Sequence, residues 1–172
     1  MNALEDEEFR GFVAARGLAL LRTAYLLTGD QQLAEDLVQT ALEKAVRHWR
    51  SIRASAAAES YVRTTMYREQ VSLWRRRGYR ELPVPTIPEP PRAMSSGNQV
   101  EDRMVLQAAL MQLGRKQRAV VVLRYFEDLT EQQVADALGI SVGTVKSQTH
   151  KALAHLRTSC ADLMPTTGGE RR

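Results

Sequence analysis

The sequence predicts an all-α protein made of two small helical domains joined by a proline-rich linker. Apolar residues recur at helical spacing through both ends of the chain, strand-like alternation is missing, and five of the six prolines crowd into nine residues near the middle. Pro83, Pro85, Pro88, Pro90 and Pro91 fix an extended backbone and remove amide donors, so residues 82–99 read as a semi-rigid tether. The expected division is a domain at 1–80, a linker at 81–100, a second domain at 101–164 and a disordered tail at 165–172.

In the first domain, Phe9, Phe12, Val13, Leu20, Leu21, Ala24, Tyr25 and Leu27 define a helix ending at Gly29, with Gly17 as a possible break. Asp30 is placed to cap a second helix, whose apolar face is Leu33, Leu37, Val38, Ala41, Leu42, Ala45, Val46 and Trp49. The opposite face carries Glu35, Asp36, Gln39, Glu43, Lys44 and Arg47. After a polar stretch from Arg50 to Ala58, a third helix over about 59–77 is expected to turn Val62, Met66 and Leu73 inward. In the second domain, Val105, Leu106, Ala109, Leu110 and Leu113 mark one helix and Val120, Leu123 and Phe126 the next. The run Val120–Leu123 could pass for a buried strand, but it lacks a strand partner and reads as helix.

The segment LTEQQVADALGISVGTVKSQTHKALAHL, Leu129–Leu156, is the most informative. Thr130 and Gln133 form a capping-box pair, Gly139 permits the positive φ of a tight turn, and Ser141 can cap the helix that follows. Small Ala135, Gly139 and apolar Val145, with Val134, Leu138 and Ile140 inward, have the spacing of a helix-turn-helix. Thr144, Lys146, Ser147, Gln148, His150 and Lys151 are then the exposed donors of the second helix, and no acid lies between Ser141 and Cys160 to repel phosphate. Either lysine could alternatively be a merely solvated surface residue.

Composition narrows the function. The net charge is only +4, but it is unevenly spread: Glu5, Asp6, Glu7 and Glu8 open the chain, while Arg75, Arg76, Arg77 and Arg80 fall in a stretch without acid. One cysteine and three histidines argue against disulfides, a metal site or any cofactor, and no nucleophile–base pair or phosphate-binding loop suggests an enzyme. The acidic start is unlike a secretory signal, and no apolar run approaches the roughly 20 residues of a membrane helix, so a cytoplasmic protein without direct membrane insertion is expected.

Two segments resemble a known family. LLRTAYLLTGDQQLAEDLVQTALEKAVRHW, Leu20–Trp49, is similar to region 2 of extracytoplasmic-function (ECF) sigma factors, close to their SigE-like actinobacterial branch, and LTEQQVADALGISVGTVKS resembles their region 4. The resemblance implies a sigma region 2-like domain, a sigma region 4-like domain and two principal partners, core RNA polymerase and promoter DNA. It assigns Glu35, Asp36, Gln39 and Glu43 to polymerase docking. It assigns Ser51, Ser55, Ser60, Tyr61, Arg63, Tyr67, Arg68, Trp74, Arg75, Arg76 and Arg77 to the melted −10 element, and Ser141, Thr144, Lys146, Ser147, His150 and Lys151 to the −35 element.

Aromatic rings can stack on unpaired bases, but Tyr61, Tyr67 and Trp74 could also simply pack. Arg68, where many members have Asn, and Gln148, where many have Arg, bear on which promoter sequence is read. An anti-sigma factor is a possible further partner. The competing reading is a helix-turn-helix regulator that binds an operator without acting as a polymerase subunit.

Overall fold

The computed structural model describes residues 3–53, 55–76 and 99–163, among which there is no strand. The expected linker from 81 to Asn98, Arg77 and the expected tail lie outside the described residues. Helix α1 spans Ala3–Thr28 and runs straight through Gly17. A single glycine costs a helix only about 1 kcal/mol, and burial of Leu20, Ala24 and Leu27 on its far side outweighs that. Gly29, at φ 74°, ends the helix in the left-handed conformation.

Asp30 then starts α2, Gln31–Arg47, its carboxylate accepting the Leu33 amide at 2.8 Å as the sequence predicts. The short α3, Trp49–Ile52, and α4, Ser55–Arg76, leave less loop than the expected polar stretch from Arg50 to Ala58. The alanines at 56–58 are strong helix formers and extend α4 backwards. Trp49 is the keystone of this half: Phe9 meets it edge to face at 5.0 Å and Phe12 packs at 5.5 Å.

The second half comprises α5 (Gln99–Gln112), α6 (Arg115–Val121), a π-helical turn at Val122–Phe126, α7 (Glu131–Leu138) and α8 (Val142–Leu163). Val120–Leu123 is thus helical, as expected. Leu73, expected to point inward, is 36% exposed, and Leu106 and Phe126, which mark helices of the second domain, are 39% and 46% exposed. The core facing them is already filled by neighbours such as Met66, Leu110 and Leu123, all fully buried.

The two helical domains pack on each other: Val120, Leu123, Val134, Leu138 and Val145 belong to the same buried cluster as Leu20, Leu27, Leu37, Val62 and Met66. Helix α1 touches α5, α6 and the π-helical turn, and α4 touches α7. A smaller cluster of Leu110, Leu113, Val121, Ala152 and Leu156 fills the second half, with Leu26 of α1 packed on it.

Candidate nucleic-acid interface

Helices α7 and α8 form the helix-turn-helix. Thr130 accepts the Gln133 amide while the Gln133 side chain accepts the Thr130 amide, closing the predicted capping box. Gly139, at φ 65° and ψ 39°, makes the turn, and the Ser141 hydroxyl accepts the Thr144 amide at 3.1 Å to cap α8. Val134, Ala135, Leu138 and Val145 are buried. That burial leaves Ser141, Lys146, Ser147, His150 and Lys151 exposed on one acid-free run of α8, with Thr144 and Gln148 half-buried beside them. Lys146 has an ionic neighbour on the preceding helix, Glu131, at 3.7 Å.

The residues that the resemblance assigns to the −10 element fall into three groups. Ser51, Ser60, Arg68 and Arg75 are exposed, and the side chains of Ser55 and Arg76 and all of Arg77 lie outside the described residues. Tyr61 and Trp74 are half-buried against the core, with the His48 and Tyr61 rings 5.8 Å apart. Arg63 and Tyr67 are turned into the molecule, Tyr67 to 3% exposure. The Arg63 guanidinium pairs with Glu59 at 2.9 Å and with Glu127, and it reaches the Thr23 hydroxyl at 3.3 Å. Thr23 in turn donates to Glu127 at 2.6 Å.

Burial works against the charge on Arg63, but its bond to Glu59 and the charge of Glu127 outweigh this and hold its pKa above the ordinary value. Burial, reinforced by Glu127, pushes the Tyr67 phenol up as well. Its oxygen lies close enough to Arg63 and Glu127 to feel their charges, yet it forms no hydrogen bond of acceptable geometry. Glu127 was not singled out in the sequence, where nothing marks a partner 64 residues away.

A third surface lies on the other side of α2. Phe9, Val13, Gly17 and Leu21 of α1 and Val38, Leu42 and Val46 of α2 line an apolar groove of about 660 Å³, edged by Glu35, Gln39 and Glu43. These polar residues are exposed and held in rows: Gln31 donates to Glu35 at 2.6 Å, Gln32 to Asp36 at 3.2 Å and Gln39 to Glu43 at 3.1 Å. Asp36 sits beside this edge rather than on it. At the start of α1, Glu5 pairs with Arg50 at 2.8 Å and Glu8 with Arg53 at 3.7 Å, so the acidic opening of the chain neutralises the arginines flanking Ser51. Among the described residues no cluster of His, Cys, Asp and Glu could hold a metal, and no helix is long and apolar enough to cross a membrane.

The chain matches the family described as Sigma-70 region 2 over residues 12–80 and that described as Sigma-70, region 4 over residues 103–156. It is 42% identical over 150 residues to the RNA polymerase sigma-E factor of Streptomyces coelicolor, covering 87% of this chain and 84% of that one. It is 33% identical over 167 residues to the ECF RNA polymerase sigma factor SigL of Mycobacterium tuberculosis, covering 95% and 90%. Among solved structures, the sigma factor RpoE of Bartonella quintana, crystallised with the anti-sigma factor NepR, is similar in fold, with a TM-score of 0.67 at 23% identity over 90% of this chain and 98% of that chain.

Two helical regions of these kinds, in this order, define a subunit of transcription initiation. The chain belongs to the ECF family of RNA polymerase sigma factors, beside the sigma-E proteins of Streptomyces. It is therefore an alternative sigma factor that directs polymerase to promoters, and the reading as an operator-binding regulator outside the polymerase falls.

Proposed function

We propose that the three surfaces divide the work of initiation. The groove between α1 and α2, with Glu35, Gln39 and Glu43 at its edge and Asp36 beside it, docks on the clamp helices of the polymerase's largest subunit. The segment from Ser51 through α4 captures the melted −10 strand: Arg63, Arg68, Arg75, Arg76 and Arg77 hold backbone, and Tyr61, Tyr67 and Trp74 offer rings for unstacked bases. Helix α8 enters the major groove of the −35 element through Ser141, Thr144, Lys146, Ser147, His150 and Lys151. Residues 81–100 act as the linker between the domains at 1–80 and 101–164.

The observation that carries this reading is the exposed, acid-free face of α8 presented by a fully formed helix-turn-helix, in the same chain as an acid-edged apolar groove. Apolar groove and polar edge are the anatomy of a protein–protein contact; exposed donors free of acid are that of a DNA contact. The protein works in the cytoplasm and catalyses no bond chemistry of its own. An anti-sigma factor is the partner that would regulate it.

Run-off transcription with purified core polymerase on genomic promoter fragments, comparing wild type with Asp36→Arg/Gln39→Ala, tests the assignment. Specific start sites with the wild type and their loss in the variant are expected. Start sites of equal strength in both would remove these residues from the polymerase interface.

A further inference from the structure

Arg118 of α6 is buried, and no carboxylate among the described residues pairs with it. It donates to the carbonyl oxygens of Leu27 at 3.2 Å and Thr28 at 3.4 Å, and weakly to Met111 Sδ at 3.5 Å. A guanidinium carries five N–H donors, so part of its bonding capacity is left over, and neutral carbonyls and a thioether supply no countercharge. Arg115 lies one turn earlier on the same helix and likewise forms no ion pair among the described residues. Burial and the nearby Arg115 lower the Arg118 pKa to about 10, so Arg118 remains a cation at neutral pH.

The two arginines line a cavity of about 50 Å³ together with Gln70 and Trp74 of α4, and no described Asp or Glu lines it. Gln70 is 7% exposed, and its amide forms no hydrogen bond among the described residues. The Trp74 indole N–H is buried without an acceptor. The wall is therefore rich in donors and doubly cationic. A cavity of this size has room for about four water molecules or one tetrahedral oxyanion. Water can satisfy an amide or a guanidinium N–H, but it brings no charge to offset two cations, one of them buried.

We propose that this cavity is a binding site for a phosphate dianion, either free or as the end of a monoester, held by Arg115 and Arg118 with the Gln70 amide as a further donor. Planar guanidinium forks match the oxygens of a phosphoryl group, and a dianion balances both positive charges where a carboxylate would balance one. The ligand is bound only by the folded chain, so it stabilises that chain in proportion to its concentration over its Kd. The site does not depend on which surfaces meet polymerase or promoter DNA.

Equilibrium dialysis of the full chain against labelled orthophosphate, in chloride at constant ionic strength, tests the site. Arg115→Met, Gln70→Met and Arg22→Met are compared with the wild type, and circular dichroism verifies that each remains helical. Arg115 is half-buried and Arg22 is exposed on α1, so Arg22→Met controls for the general effect of losing one positive charge. The wild type is expected to bind a single phosphate per chain. Arg115→Met should weaken binding about tenfold or more and Gln70→Met about threefold, while Arg22→Met stays within about twofold of the wild type.

Excess adenosine monophosphate separates the two sources: displacement of the label assigns the site to the end of a monoester, and retention assigns it to free phosphate. Absence of saturable binding in the wild type overturns the site. Equal binding by the wild type and Arg115→Met overturns it too, as does an equal loss in Arg115→Met and Arg22→Met, which marks general attraction of phosphate to a basic chain.

Discussion

Lys146, on the exposed face of α8, lies 3.7 Å from Glu131 at the start of α7, and both side chains are solvated, at 65% and 38% exposure. A pair this exposed contributes no more than about 1 kcal/mol, so DNA phosphate can displace the carboxylate at little cost. Glu131→Gln should strengthen holoenzyme binding to a −35 duplex about twofold. Lys146→Ala should weaken it and, where the lysine holds phosphate, reduce the salt slope by about 1. Filter binding across a salt series measures both.

Arg63 and Arg68 lie on the same helix but should respond differently to truncation. Removing Arg63 leaves Glu127 buried without its cation, at a cost of about 3 kcal/mol and a fall of about 10 °C in Tm. Arg68 is exposed, and Arg68→Ala should leave Tm within about 1 °C while slowing open-complex formation. Calorimetry and permanganate footprinting separate the two effects.

Tyr67 is expected to make the protein sensitive to alkali. Its folded-state pKa is raised above the ordinary 10.0, so the buried neutral phenol contributes stability that is complete below that value. As pH rises beyond it, the unfolded chain ionises first and stability is lost. Tyr67→Phe removes a buried hydroxyl without a hydrogen bond, so it should be as stable as wild type at pH 7 and lose less stability between pH 10 and 11. Urea denaturation at the two pH values reads the difference.

The groove between α1 and α2 allows stability and binding to be separated. A Cβ at Gly17 would meet only Val13, at 3.9 Å, so Gly17→Ala should stabilise α1 by about 1 kcal/mol. Leu42→Gln, in the same groove, should weaken core-polymerase binding about tenfold or more, measured by competition against a labelled sigma factor. Gly29→Ala is the contrasting case: its φ of 74° strains any L side chain, and its Cβ would come within 2.6 Å of Met111 Sδ. It should cost about 1–2 kcal/mol, even though the methionine can move aside.

Local chemistry made much of the fold legible. Asp30, Thr130, Gly139 and Ser141 act within three or four residues of themselves, so their capping and turning roles follow from spacing alone. The family resemblance was legible for the same reason: it rests on contiguous motifs, and the family it points to is the one the chain belongs to. What could not be read was partnership at a distance. Leu27, Val120 and Leu123 are recognisable as core residues, but hydrophobicity carries no address, and the sequence does not say that they share one core across a linker. Nothing in the local sequence marks Arg118 and Glu127, whose partners are 91 and 64 residues away.

Arg118 of α6 donates to the carbonyl oxygens of Leu27 at 3.2 Å and Thr28 at 3.4 Å, at the C-terminal end of α1, and this contact bears on how long the molecule survives unaccompanied. A copy that parts its halves without polymerase or DNA to receive them exposes the carbonyls of Leu27 and Thr28 and turns Val120 and Leu123 toward water. It leaves two domains small enough to be only marginally stable alone. Such a copy is the natural prey of cellular proteases, whose rate of attack follows the population of opened chains. Closure therefore acts as a clock on abundance: substitutions at Arg118 should shorten the half-life of the free protein more than that of the polymerase-bound one.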